Sequence, residues 1–193
     1  MKSLKDQIIH LPHKNLRERS KRVGLVDKSI QKIIDEMIAA TLDWEDNREH
    51  EVGVALAAIQ IDHTLRIVVI RNDFDNKEDR TFRVFINPEI TKFDGELIED
   101  FEGCLSIQDV YGKVPRYSKV KVSATDIQGK KIRVTAEGFL ARVFQHEVDH
   151  TNGKLFIDHI KDRPEAFYRL QDDGKLKPLD YKKEIQDNEI LWG

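Results

Sequence analysis

The chain has 193 residues, which is near the usual size of one compact domain. Apolar residues make up 39% of it and charged residues 35%, a composition typical of a globular protein with a charged surface. A net charge of -3 argues against a broad basic field that would hold nucleic acid through its phosphates. Cys104 is the single cysteine, which excludes an intrachain disulfide and a disulfide-stapled secreted fold. The first residues do not resemble a signal peptide, and no window approaches the roughly 20 apolar residues of a membrane span, so we expect a cytoplasmic protein.

The first clear pattern along the chain is that of an amphipathic helix over residues 27 to 44. Asp27 or Ser29 is suited to cap its start. Apolar residues of this segment recur at three- and four-residue steps, as expected for one buried helix face: Ile30, Ile33, Ile34, Met37, Ile38 and Leu42. The polar run from Asp43 to Glu51 then predicts a loop.

The period then changes to that of strands. Residues 65 to 70 and 81 to 86 are short and β-branched, the second run ends at Asn87-Pro88, and a charged turn separates the two. Residues 119 to 125 and 131 to 135 alternate between polar and apolar side chains. The segment Asp126-Ile127-Gln128-Gly129 joins them, which predicts a hairpin.

A second helix is predicted over residues 137 to 151, with Leu140, Val143, Phe144 and Val148 on its apolar side and Gly153 at its end. The pattern predicts an α+β fold in which short antiparallel strands surround this C-terminal helix. We expect one domain over residues 1 to 161. Residues 162 to 193 form a charged C-terminal extension of unknown role, either peripheral or partly disordered.

The strongest chemical signal is His146-Glu147-Val148-Asp149-His150, which lies on the second predicted helix. Residues four apart lie on one helix face, so the two imidazoles can bind one metal ion. Such a metal lowers the pKa of its bound water towards neutrality, and Glu147 is placed to carry the proton to the leaving amine. The pattern therefore indicates a metal-dependent hydrolase.

Two histidines do not complete a catalytic site, which needs a third protein ligand and one open position. The spacing leaves His159, an acidic residue or Cys104 as candidates. His159 lies outside the spacing of the metzincin motif. A lone cysteine is by itself more often a small buried apolar residue than a ligand.

The surroundings of Cys104 carry a family resemblance. Glu102-Gly103-Cys104-Leu105-Ser106 resembles the E-G-C-L-S signature of peptide deformylases. Residues 145 to 150 with Gly153 resemble their Q-H-E-x-D-H-x-x-G signature, and residues 53 to 60 resemble their G-x-G-L-A-A-x-Q segment. The three motifs appear in the family's order, within a similarity that extends over about residues 10 to 160.

The resemblance implies a metal site and a reaction. The ligands would be Cys104, His146 and His150, with water in the fourth place. The metal would most often be Fe(II), while zinc, nickel and cobalt also suit a thiolate and imidazole site. Glu147 would be the general acid and base, and the Gln60 amide with the backbone N–H of Leu105 would stabilise the developing oxyanion.

The resemblance also implies how substrate is held. Gly53, Val54, Ala55, Leu56 and Gly103 would line an extended peptide that pairs as an added strand. The side chains of Val54 and Val143 would form walls of a pocket for methionine. A pair formed by Glu102 and Arg116 would brace the cysteine segment from behind. Without the resemblance, plain core packing or surface charge explains these residues equally well.

One position departs from the family pattern. Ala55 stands where the family commonly has glycine, a residue typical of sites where a ligand's backbone approaches closely. We expect one extra methyl group to be tolerated if φ is negative, and substrate binding to suffer if φ must be positive or if the position sits against the peptide. Gln108, where many members have proline, is a smaller departure.

The expected function is removal of the formyl group from formyl-methionyl nascent peptides. The ribosome is a possible partner, no motif indicates nucleic acid or a membrane, and a bacterial source is favoured. A metallopeptidase, a non-catalytic relative that binds nascent chains, and a structural metal site are the competing interpretations. The E-G-C-L-S segment argues against the first, and Ala55 alone favours the second.

Overall fold

The computed structural model describes residues 7–192. The helices are α1 (Lys28–Asp46), α2 (Gly138–Thr151) and α3 (Glu189–Trp192). The strands are β1 (Ala55–Ala57), β2 (Ile67–Arg71), β3 (Phe82–Cys104), β4 (Ile107–Thr125), β5 (Lys131–Glu137), β6 (Phe167–Leu170) and β7 (Leu176–Pro178). The α+β prediction is confirmed.

Helix α1 begins as predicted and ends later. The Asp27 side chain accepts hydrogen bonds from the backbone N–H groups of Ser29 and Ile30, which caps the helix. The predicted loop from Asp43 to Glu51 is wrong in its first residues, because α1 continues to Asp46. The reason is tertiary: Glu45 is 1% exposed and points into the protein, where a buried arginine neutralises it.

The seven strands form one antiparallel network in the order β1-β2-β3-β4-β6-β7, with β5 also paired to β4. The predicted hairpin is confirmed, with Thr125 opposite Lys131. Gly129 has φ 80°, a left-handed conformation that glycine adopts without steric cost.

The predicted short strand over residues 81 to 86 is wrong in length. Strand β3 has 23 residues and β4 has 19. Asn87-Pro88 marks a shift of register between Ile86 and Glu89, and the ladder resumes beyond it. Such an irregularity bends a strand without ending it, and it carries β3 onward to Cys104 at its last position.

Helix α2 lies across the sheet, and the prediction of this helix is confirmed. Ala141, Val143 and Phe144 are buried among apolar residues of β1, β2, β4 and β5. Gly153 follows the helix with φ 74°, and a Cβ there would lie 2.3 Å from the backbone oxygen of Arg17. Backbone approach therefore requires glycine at the end of α2.

Residues beyond 161 pack onto the rest of the chain. Strand β6 pairs with β4, and β7 pairs with β6. The apolar residues of this segment are too widely spaced among charged ones to produce a helix or strand pattern in the sequence. They are buried in one cluster with Cys104, Ile107 and Val110: Ala166, Phe167, Leu179, Ile185 and Leu191. Among residues 7–192, every helix is too short or too polar to cross a membrane.

Candidate active site

Three potential metal ligands meet where the end of β3 reaches α2. The donor atoms of Cys104, His146 and His150 all lie within 4.8 Å of one another. Cys104 Sγ is 3.3 Å from His150 Nε2, and the two residues are 9% and 1% exposed. The helical spacing sets the two imidazole centroids 4.9 Å apart.

A buried carboxylate orients the first histidine. Glu102 Oε2 lies 3.0 Å from His146 Nδ1. Arg116 donates to both Glu102 oxygens, at 2.9 Å from Nε and 3.0 Å from Nη2. Burial by itself would raise the pKa of Glu102, but the bonds from His146 and Arg116 hold it well below its ordinary value. With Nδ1 engaged, His146 has Nε2 left for a metal.

Arg142 belongs to the same network and was missed by the sequence analysis. Its Nη1 lies 2.8 Å from Glu102 Oε1 and 2.7 Å from the backbone oxygen of Val114, and its Nη2 lies 2.7 Å from that of Ile98. The available signal was a cation one turn before His146, on the same helix as the metal-binding motif. Arg142 joins α2 to both long strands.

His159, the other candidate for third ligand, lies outside the donor cluster. Its Nε2 is 2.7 Å from Asp149 Oδ2, and Asp149 in turn is bonded to Arg116. Cys104 is therefore the residue that completes the set with the two histidines.

Glu147 is buried beside this cluster. It is 4% exposed, and its Oε2 has no hydrogen-bond partner among residues 7–192. Burial raises the pKa of Glu147 to about 7. A carboxyl group with such a pKa exchanges its proton readily near neutral pH.

Gln60 is also buried, at 1% exposure, rather than lying on the surface. Its Oε1 accepts from the Ala57 backbone N–H at 2.9 Å, which aims the amide nitrogen at the cysteine segment. Nε2 is 3.5 Å from Cys104 Sγ and 3.2 Å from Ser106 Oγ. The side-chain amide is thus fixed beside the candidate ligand.

A cavity of about 320 Å³ opens onto these groups, a size that suits a small ligand. Gly53 and Leu56 are not on its wall: Gly53 lies against α1, and the Leu56 side chain is fully buried in the core. Trp44, His50, Glu51, Tyr111 and Phe139 also line the cavity and were not singled out in the sequence. The residues of the sequence analysis that do line it are Val54, Ala55, Gln60, Glu102, Gly103, Cys104, Leu105, Val143, His146 and Glu147.

Ala55 occupies an ordinary strand position. It pairs with Ile70 across the β1–β2 ladder and is absent from the residues with positive φ. The backbone there does not require glycine, so the conformational reason for glycine at this position does not apply. Ala55 lines the cavity, so its methyl group faces the space where a peptide would bind.

The chemistry of the donor set fits a divalent transition metal. One sulfur and two imidazole nitrogens are typical ligands of zinc, iron, nickel and cobalt. Glu102 supplies the carboxylate–histidine contact that commonly orients a metal-binding imidazole. Three protein donors are the number that leaves a position open for catalysis.

Comparison with known families gives one match that spans most of the chain. The polypeptide deformylase family model matches residues 5–165. The peptide deformylase of Chromobacterium violaceum is 40% identical over 153 residues, which cover 79% of this chain and 85% of that protein. Peptide deformylase 1 of Pseudomonas syringae pv. tomato is 41% identical over 154 residues, covering 79% and 85%.

Solved structures agree with the sequence relatives. A peptide deformylase from Synechococcus elongatus in complex with actinonin superposes with a TM-score of 0.73 at 35% identity, covering 81% of this chain and 80% of that one. A peptide deformylase from Legionella pneumophila gives 0.69 at 41% identity, covering 79% and 83%. The family-model match spans all three motifs of this chain, and together these matches show that the chain belongs to the peptide deformylase family.

Proposed function

We propose that Cys104, His146 and His150 hold the divalent metal with which this hydrolase removes the N-terminal formyl group from the formyl-methionine of new proteins, releasing formate. The observation that carries the proposal is the convergence of these three donors within 4.8 Å of one another. Cys104, His146 and the buried Glu147 line the cavity. Membership of the peptide deformylase family gives the reaction, and this cluster gives the residues.

We propose Fe(II) as the metal in the cell, with zinc, nickel or cobalt able to replace it. The mixed sulfur and nitrogen donor set supports this group of metals rather than magnesium or calcium, which prefer oxygen ligands. When bound, such a metal acts as a Lewis acid and lowers the pKa of water near the substrate.

Glu147 acts as the proton carrier in this proposal. Its carboxyl group takes a proton from the attacking water and delivers it to the methionine nitrogen as the C–N bond breaks. Burial and the pKa of about 7 support this role, because the group changes its protonation state easily at neutral pH.

Gln60 and the Leu105 backbone N–H stabilise the negative charge that develops on the formyl oxygen. The Ala57 N–H holds the Gln60 side chain in one orientation, and the amide nitrogen points towards Cys104 and Ser106. A donor fixed before the reaction needs no reorganisation when the charge appears, which is how such groups lower a barrier.

The cavity wall supports an assignment of the substrate side chain. Val54, just before β1, and Val143 on α2 both line the cavity and offer an apolar surface for methionine. Backbone groups of Gly103, Val54 and Ala55, which line the cavity, pair with the peptide backbone of the substrate, while Gly53 and Leu56 lie behind the wall. The substrate leads us to propose that the protein works beside the ribosome, in the cytoplasm of a bacterium.

Formate release from a formyl-Met-Ala-Ser peptide tests the proposal. The protein is purified without oxygen and reloaded separately with Fe(II), nickel and zinc, and Glu147→Ala is the matched control. We expect formate release from the native chain, and a loss of at least about 100-fold in Glu147→Ala with its metal retained.

Three outcomes would contradict the proposal. Equal turnover in metal-loaded Glu147→Ala would remove Glu147 from the reaction. Absence of formate from protein that holds one metal per chain would instead favour a relative that binds nascent chains without chemistry. Cleavage of unformylated peptides would indicate a metallopeptidase.

A further inference from the structure

A buried ion pair lies behind the cavity wall, in no contact with the donor cluster. Arg71 at the end of β2 and Glu45 near the end of α1 are both fully buried, and Arg71 Nη2 is 2.5 Å from Glu45 Oε2. Buried pairs of this kind are weak contributors to stability, because removing two charges from water is costly. Their presence calls for another role.

Both members of the pair form hydrogen bonds to the backbone of Gly53. Glu45 Oε2 accepts from the Gly53 N–H at 2.8 Å, and Arg71 Nε donates to the Gly53 C=O at 3.2 Å. The Arg71 backbone N–H donates to the Val54 C=O at 2.8 Å. Three backbone polar groups of Gly53 and Val54, at the entrance to β1, are therefore held by Glu45 and Arg71.

Helix α1 closes the other side of this residue. A Cβ on Gly53 would lie 2.7 Å from Thr41 Cγ2 and 3.0 Å from the Thr41 backbone oxygen. Gly53 is thus required for its close approach to α1, not for its conformation. The next two residues, Val54 and Ala55, emerge directly onto the cavity wall.

The same guanidinium also fixes the loop between β2 and β3. Arg71 Nη1 donates to the backbone oxygens of Lys77 and Asp79, at 3.1 and 2.9 Å. This loop carries Phe74, whose ring meets the cavity-lining Phe139 edge-on at 5.0 Å. Arg71 therefore supports two sides of the cavity mouth.

We infer that Glu45 and Arg71 are positioning residues for substrate binding, which preset the backbone of residues 53 to 55 for an incoming formyl-methionyl peptide. The inference rests on the proposed function, since that function assigns Val54 and Ala55 to the peptide. A segment fixed before binding loses little conformational entropy when substrate pairs with it, so its loosening weakens binding. The chemical step uses groups that the pair does not touch.

The test replaces the pair by apolar residues of similar length, Glu45→Leu with Arg71→Met. Replacement of both charges avoids leaving one buried and unpaired, which would favour unfolding. We expect a folded protein whose KM for formyl-Met-Ala-Ser rises about tenfold while kcat and zinc affinity stay within about threefold. The dissociation constant of the product peptide Met-Ala-Ser should rise in parallel.

Two further variants make the test specific. Asp46→Asn with Arg80→Met removes the neighbouring ion pair, which joins the same helix end to the same loop but has no bond to Gly53. It should leave KM within about twofold. Glu45→Gln is the second variant to measure, in case the double variant fails to fold. It keeps one acceptor for the Gly53 N–H, so its KM should lie between those of the native chain and the tenfold rise expected for the double variant.

An unchanged KM and product affinity in the folded double variant, or in folded Glu45→Gln, would overturn the inference. So would an equal loss of kcat and zinc affinity, which would indicate a general structural role. Failure of the proposed function would be separate, because the native chain itself would then release no formate.

Discussion

The Cys104 side chain lies between a histidine ring and a glutamine side-chain amide. Its Sγ is 3.3 Å from His150 Nε2 and 3.5 Å from Gln60 Nε2. The sequence left three candidates for the third ligand. The structure brings the Cys104 sulfur within 4.8 Å of the donor atoms of both histidines and places His159 against Asp149 instead. The choice between Cys104 and His159 can be tested directly by metal affinity.

Cys104→Ser should weaken zinc binding by more than about 100-fold. Loss of a residue that merely orients a ligand already costs about 10–100-fold, and a direct ligand contributes more. Competition with a chelator measures the affinity. His159→Ala is the matched control and should lose less than about tenfold, because it reaches the site only through Asp149 and Arg116.

A similar zinc affinity in Cys104→Ser and the native chain would exclude the cysteine as a ligand. A larger loss in His159→Ala than in Cys104→Ser would restore the histidine as the third ligand.

Ala55 illustrates what a single position in a motif can and cannot tell. The sequence identified the departure from glycine, but its consequence depended on backbone geometry that the sequence does not contain. The extended conformation of β1 accommodates a side chain there. The family's glycine is therefore not demanded by the backbone of this chain.

At the scale of elements, α2 and the two long strands are joined by buried charges. Glu102 on β3 bonds to Arg116 on β4 and to Arg142 and His146 on α2. These contacts fix where the histidines stand relative to the cysteine. The geometry of the site therefore depends on the packing of β3, β4 and α2 together, and not on the helix alone.

Arg142→Met should lower the free energy of unfolding by about 3 kcal/mol. Breaking a buried ion pair costs about 3–5 kcal/mol, and the lower end applies because Glu102 keeps Arg116. Urea denaturation measures the change. Arg163→Met is the control: its pair with Glu99 is partly exposed and screened by water, so the loss of stability should be much smaller.

Equal unfolding free energies of Arg142→Met and Arg163→Met would show that the bonds of Arg142 to the two strands do not stabilise the fold.

At the scale of the whole molecule, the segment after residue 161 completes a hydrophobic cluster. Phe167 is fully buried in the cluster that contains Cys104 and Ile107. The family match ends at residue 165, so this packing lies just beyond the shared region. The segment thus contributes to the core beneath the metal site.

Phe167→Ala should cost about 3–5 kcal/mol of unfolding free energy, because a large cavity forms in a packed core. Ile190→Ala, on the same segment but 57% exposed, should change it by no more than about 0.5 kcal/mol. Thermal and urea unfolding measure both. Similar values for the two variants would show that the segment packs only loosely.

The sequence by itself determined the features that depend on neighbours along the chain. Helical spacing places His146 and His150 on one face, Asp27 caps α1, and the alternation around Gly129 forms a hairpin. Three ordered motifs sufficed to indicate the family. Such features need only local geometry, which a few residues specify.

The tertiary structure alone decided the contacts between distant residues. The grip of Glu45 and Arg71 on Gly53, the place of Arg142 beside Glu102, and the burial of Phe167 depend on how elements pack. Composition marks Glu45, Arg71 and Arg142 only as charged residues, which are usually exposed. They are buried here because the fold supplies a partner for each charge, and no pattern along the chain records that partner.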